Sequence, residues 1–200
     1  MGGKQARRND RRRGGKQVYE LQVDLIGGPV EEDFLAANPR ISRTIEILGN
    51  QTLEEFHWAI FDAFDRFDEH MYEFQVGGKC PHDPDARTYL MPEAKEGPFG
   101  DPGCTGLVTQ TTVAALDLKE REAFLYWFDY GDDWWHRIEV LAIREGPEEG
   151  EYPRVTGRVG ASPPQYPGYD EDDEDDWDED GWEEDEEEEE EESGADAGTE

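Results

Sequence analysis

The sequence predicts an α+β domain: a small mixed or mainly antiparallel sheet packed by one main amphipathic helix, with a C-terminal β-hairpin and disordered tails. Three observations predict it. Short stretches alternate apolar and polar residues with period two, the signature of half-buried strands. One stretch repeats its apolar residues at helical spacing behind a capping sequence. The two ends carry opposite charge in nearly unbroken runs.

The first strand is Val18 to Ile26, with Tyr19, Leu21, Val23 and Leu25 on one face and Glu20, Gln22 and Asp24 on the other. Gly27-Gly28-Pro29 ends it, and residues 30–42 form a connection. Arg43 to Leu48 reads as a second strand with Ile45 and Ile47 inward, and Gly49-Asn50 turns the chain. The helix follows. Thr52 is a good N-cap, Glu55 completes the capping box, and Leu53, Phe56, Ile60, Phe61 and Phe64 make one stripe that also contains His57. His70 to Val76 is a third strand; period two places His70, Tyr72, Phe74 and Val76 inward. Residues 77–106 form a long Gly/Pro-rich insertion, a kind of loop that is usually functional or disordered. Thr111 to Leu118 reads as a short helix. Phe124 to Tyr130 and Trp134 to Ile143 are two strands around a turn centred on Gly131-Asp132. That centre sets Trp127 opposite His136 and Leu125 opposite Ile138. It turns Leu125, Trp127, Trp134, His136 and Ile138 inward, and Tyr126, Phe128 and Trp135 outward. A slip of one residue is expected to bury Arg137 and Glu139.

Charge divides the chain into three. Of 200 residues, 52 are acidic and 19 basic, a net charge of −33. Residues 1–16 hold seven bases and one acid and read as a disordered basic arm. Residues 170–200 hold 22 acids and no base and read as a disordered acidic tail. The α+β body, residues 17–169, is itself acidic, with 29 acids against 12 bases. Such a field repels nucleic-acid phosphate and anionic membrane, so neither duplex nucleic acid nor a membrane is the expected partner. No apolar run reaches the ~20 residues of a membrane span, and no apolar leader follows Met1. The expected compartment is the cytoplasm, where Cys80 and Cys104 would be free thiols or metal ligands rather than a disulfide. The tail is either a solubilising bristle or a lure for a basic partner, with Trp177 and Trp182 as apolar anchors.

Three runs carry a resemblance. They are Phe56-His57-Trp58-Ala59-Ile60, Asp68-Glu69-His70-Met71-Tyr72-Glu73-Phe74, and Phe128-Asp129-Tyr130-Gly131-Asp132-Asp133-Trp134-Trp135-His136. Together they resemble the Ri-plasmid ORF-three-like family, whose members are often labelled TnpR-like passenger proteins of insertion sequences. Pro39-Arg40-Ile41-Ser42-Arg43 and the segment around Ala161-Ser162-Pro163-Pro164 are similar to further family segments. The likeness covers about residues 17–169, and the hairpin run is its most specific part. Phe56 stands where the family usually has Leu, and the C-terminal segment lacks its usual cysteines and Glu. The resemblance implies a compact α+β fold and a possible link to mobile elements, and it carries no established activity. A resolvase role is not supported: no Ser-centred recombinase motif is present, and the charge opposes DNA.

Three constellations are candidates for function. His57, His70 and His136, with Asp129 and Asp132 beside the hairpin, could form a catalytic or metal-binding cluster. The alternative is a buried hydrogen-bonded network in which Asp129 or Asp132 caps the Gly131 turn. Cys80, His82 and Cys104 could clip the Gly/Pro insertion around zinc or another transition metal, with Asp83 or Asp101 as fourth ligand; otherwise they are free side chains in a loop. Tyr126, Phe128 and Trp135 could form an exposed aromatic patch for a protein partner; otherwise they belong to the core and its rim. No P-loop, dinucleotide fingerprint, G-x-S-x-G or H-E-x-x-H is present. The sequence therefore points to a non-enzymatic interaction or accessory protein with a protein partner, plausibly a basic one. A metal-binding domain or metal-dependent enzyme built on the His/Asp cluster is the alternative.

Overall fold

The computed structural model describes residues 17–96, 103–146 and 150–168. The basic arm, Asp101, Trp177, Trp182 and the acidic run lie outside the described residues.

The chain order is β1 (Gln17–Gly27), α1 (Glu32–Ala37), β2 (Ser42–Leu48), α2 (Leu53–Ala63), β3 (Tyr72–Val76), β4 (Arg87–Leu90), α3 (Pro92–Glu96), β5 (Gly106–Leu107), a 3₁₀ turn (Val113–Leu116), β6 (Ala123–Phe128), β7 (Trp134–Glu145) and β8 (Arg154–Val159). The strands form one sheet in the order β5-β4-β3-β6-β7-β1-β2-β8. Neighbours are antiparallel except β4 and β5.

This overturns the expectation of a small sheet packed by one main helix. Strands also form where none was expected. The Gly/Pro-rich insertion contributes β4, which pairs with β3, and the segment after residue 150 contributes β8, which pairs with β2. Eight strands at about 4.8 Å spacing make a sheet roughly 34 Å wide. The eleven residues of α2 reach only about 16 Å. The helix therefore covers part of one face, and Val108, Val113, Leu116 and Leu118 from the segment between β5 and β6 join Leu53, Phe56 and Ile60 in the same core.

The local signals for α2 hold in detail. Thr52 accepts from the Glu55 N–H, and the Glu55 carboxylate accepts from the Thr52 N–H at 2.7 Å. The C-terminal end of α2 is closed by the buried Arg43, whose Nε donates to the Ala63 carbonyl at 2.7 Å. The same guanidinium donates to the Val159 and Gly160 carbonyls and to Ser162 Oγ. One side chain of β2 thus ties the helix end to the segment that follows β8.

The hairpin register is also corrected. Phe128 pairs with Trp134, Trp127 with Trp135 and Tyr126 with His136. The connection has five residues, 129–133, not two. Asp129 Oδ1 accepts the Gly131 and Asp132 N–H groups, the Asp133 N–H donates to the Asp129 carbonyl at 2.8 Å, and Asp129 and Asp133 take positive φ. The shift flips β6 but leaves β7 as expected, so Arg137 and Glu139 stay outward. Both faces of β6 are apolar or aromatic, so the charges on β7 could not choose between the registers. Phe124, Tyr126 and Phe128 therefore point into the core, the last two each 1 % exposed. Tyr126 and Phe128 cannot belong to an exposed patch. Trp135 lies on the opposite face, stacked on Trp127 at 5.1 Å and met edge-on by His82.

Candidate functional site

One concave feature among the described residues is a cleft of about 760 Å³. Helical spacing puts Glu54, His57 and Trp58 on one face of α2, which forms one wall. Glu69 to Tyr72 lead into β3 and form the floor, Met91, Pro92 and Glu93 at the start of α3 form a second wall, and Asp129 to Gly131 close one end. The loop is held there by the Asp129 N–H, which donates to the Met71 carbonyl at 2.9 Å.

Four carboxylates line this space, from Glu54, Glu69, Glu93 and Asp129, and among the described residues no lysine or arginine does. The two histidines differ in kind. His57 is 2 % exposed. Its ring lies flat on Tyr72, with centroids 3.6 Å apart, and its Nδ1 is 2.7 Å from the Tyr126 hydroxyl. Burial pushes its pKa down to about 3, so it stays neutral, and burial drives the Tyr126 phenol well above its usual range. His57 therefore adds no positive charge to the cleft.

His70 is half-buried at the rim. Its Nε2 lies 2.7 Å from the Tyr166 hydroxyl, 3.3 Å from Asp68 Oδ2 and 3.5 Å from Asp129 Oδ2. Tyr166 donates to Asp68 at 2.6 Å, and that bond is the main cause that lowers the Asp68 pKa. Gln165 accepts from the Phe67 and Asp68 N–H groups, and Arg66 donates to the Pro163 carbonyl. The segment from Pro163 to Tyr166 is thereby strapped to the chain that leads into the cleft floor.

The three histidines do not converge on one point. Tyr126 lies between His57 and His136, its ring 5.4 Å from that of His136. His136 is 1 % exposed, neither ring nitrogen has a hydrogen-bond partner, and burial followed by the Arg66 charge lowers its pKa to about 3. Asp132 donates its N–H to Asp129 and takes part in the turn. Cys80 is exposed and Cys104 half-buried, both free thiols, while His82 packs on Trp127 and Trp135. Among the described residues no three His, Cys, Asp or Glu side chains gather as a metal-binding group. Sequence reasoning missed Glu54, Glu69 and Glu93; the only signal available for them was the acidity of the body.

The family model described as plasmid pRiA4b ORF-3-like protein matches residues 30–192, a range that contains the hairpin run and the elements around the cleft. The chain belongs to the plasmid pRiA4b ORF-3-like family. The match takes in the cleft residues, both buried histidines and most of the acidic run, and begins after β1. A crystal structure of a protein of unknown function, MM3350 from Methanosarcina mazei Go1, is similar to this pRiA4b ORF-3-like chain with a TM-score of 0.54. The two are 24 % identical over 74 % of this chain and 71 % of that one, a likeness that bears on the fold. No curated protein matches. Among the described residues of this family member no helix is long and apolar enough to cross a membrane.

Proposed function

We propose that the protein is a non-enzymatic interaction or accessory protein that takes a basic protein partner, with the cleft as its binding surface. The observation that carries this reading is the charge of the cleft: four carboxylates, a neutral His57 on the α2 wall and, among the described residues, no lysine or arginine. A concave surface lined with one sign of charge focuses its field on an incoming ligand and steers encounter. Trp58 is 40 % exposed at the rim, and tryptophan is favoured as an interface anchor. The acidic run adds attraction of longer range. The family description suggests a link to mobile genetic elements as the setting. For a metal-dependent enzyme built on His57, His70, His136, Asp129 and Asp132, no ligand set gathers among the described residues.

The test is binding of an arginine-rich peptide to the full chain across salt. Affinity is expected to fall at least about tenfold from roughly 0.05 to 0.5 M salt as screening shortens the field. Binding that ignores salt, or none at low salt, overturns the reading.

A further inference from the structure

The α2 wall of the cleft offers more than charge. Tyr126 is sealed in the core, and its hydroxyl has His57 Nδ1 as its hydrogen-bond partner at 2.7 Å. A buried hydroxyl that did not donate would leave its proton unpaired. Tyr126 therefore donates, Nδ1 accepts, and the neutral imidazole carries its own proton on Nε2. Both nitrogens of His136 are sealed from solvent without a partner, but His57 Nε2 is not sealed, and no described residue bonds to it. His57 itself lines the cleft. An otherwise acidic site thus has His57 Nε2–H as a neutral donor beside the indole N–H of Trp58.

A bare cation satisfies the carboxylates and repels that donor. A neutral or acidic ligand does the reverse. A ligand that satisfies both presents a carbonyl oxygen and a cation joined by an apolar stem. Met71, Met91 and Pro92 provide apolar lining for such a stem, and Trp58 and Tyr130 provide rings for a cation.

We infer that the cleft is a receptor for a lysine or arginine residue within a peptide chain. Its backbone carbonyl accepts from His57 Nε2–H and its side-chain cation lies among Glu54, Glu69, Glu93 and Asp129. This inference rests on the basic-partner reading and states what that partner must present.

The test uses the full chain and two probes. One is a short arginine-rich peptide. The other is agmatine, which keeps the guanidinium and its stem but has no carbonyl. The reporter is the His57 Nε2–H resonance in the ¹⁵N-labelled protein. The peptide is expected to shift that resonance and slow its exchange with water, and to bind on the order of ten times tighter than agmatine. Glu54→Gln combined with Glu93→Gln is expected to weaken the peptide about tenfold, with the helical circular dichroism unchanged. A peptide that binds with a silent His57 proton and no response to the double substitution overturns the inference. That outcome removes the cleft reading as well, because the peptide is then held elsewhere; a silent His57 proton with binding still weakened by the double substitution overturns the inference alone and leaves the cleft as the binding surface. Peptide and agmatine binding equally well overturns the carbonyl contact. No binding of either probe at low salt removes both the inference and the reading.

Discussion

At the scale of single residues, the interior is organised around neutral histidines. His57 and His136 both have pKa values near 3, against about 6.5 for an exposed histidine. The folded-state values are depressed, so the unfolded chain binds these protons first as pH falls. The stability they protect is complete above about pH 6.5 and is lost as pH falls toward 3. His136→Leu is expected to flatten the pH dependence of unfolding across that window, as measured by denaturant titration at several pH values. Tyr126→Phe removes the donor to His57 Nδ1 and leaves a buried acceptor unpaired; it is expected to cost about 1–3 kcal/mol in the same experiment. That His57 and His136 turn away from solvent was legible in the period of their elements, whereas His70 precedes β3 and is only half-buried. Their partners were not, because Tyr126 was assigned to the wrong face and Tyr166 lies 96 residues from His70.

At the scale of elements, the strongest local chemistry was read most accurately. The alternation of β1 and the capping box of α2 are encoded within a few neighbouring residues. Thr52→Ala is expected to cost about 1 kcal/mol, since it orphans the Glu55 N–H. The Gly-Gly that ends β1 has a sharper role than a generic turn. Gly28 sits at φ +146°, and a Cβ there would lie 2.4 Å from the Trp134 indole. Gly28→Ala is expected to destabilise the fold by at least about 2 kcal/mol in chemical denaturation, through both clash and backbone strain. Elements were lost where the local signal was weak. β4 has four residues inside a Gly/Pro-rich stretch, and β8 carries two arginines and a glycine. The hairpin failed for another reason: Gly131-Asp132 resembles a two-residue turn, and nothing local reveals that Asp129 begins a five-residue loop.

At the scale of the whole molecule, charge was legible in sign and not in place. Composition gave an acidic body, but the cleft gathers Glu54, Glu69, Glu93 and Asp129 from four separate parts of the chain. Only the packing of α2, β3 and the hairpin loop brings them together. A net charge of −33 also strains the compact state through self-repulsion. The thermal midpoint is expected to rise by several degrees between low salt and about 0.3 M sodium chloride; a fall would mean that ion pairs outweigh repulsion. The sheet has two outer strands, and neither offers a good template. β5 is two residues long. The register of β8 slips opposite Thr44 and Ile45, and its Arg154 and Arg158 hold charge along the margin, the first paired to Glu46 at 2.7 Å. A second molecule seeking to add strands there meets an irregular ladder and fixed cations. The same irregularity that hid β8 from sequence reading guards the protein against edge-to-edge fibril growth.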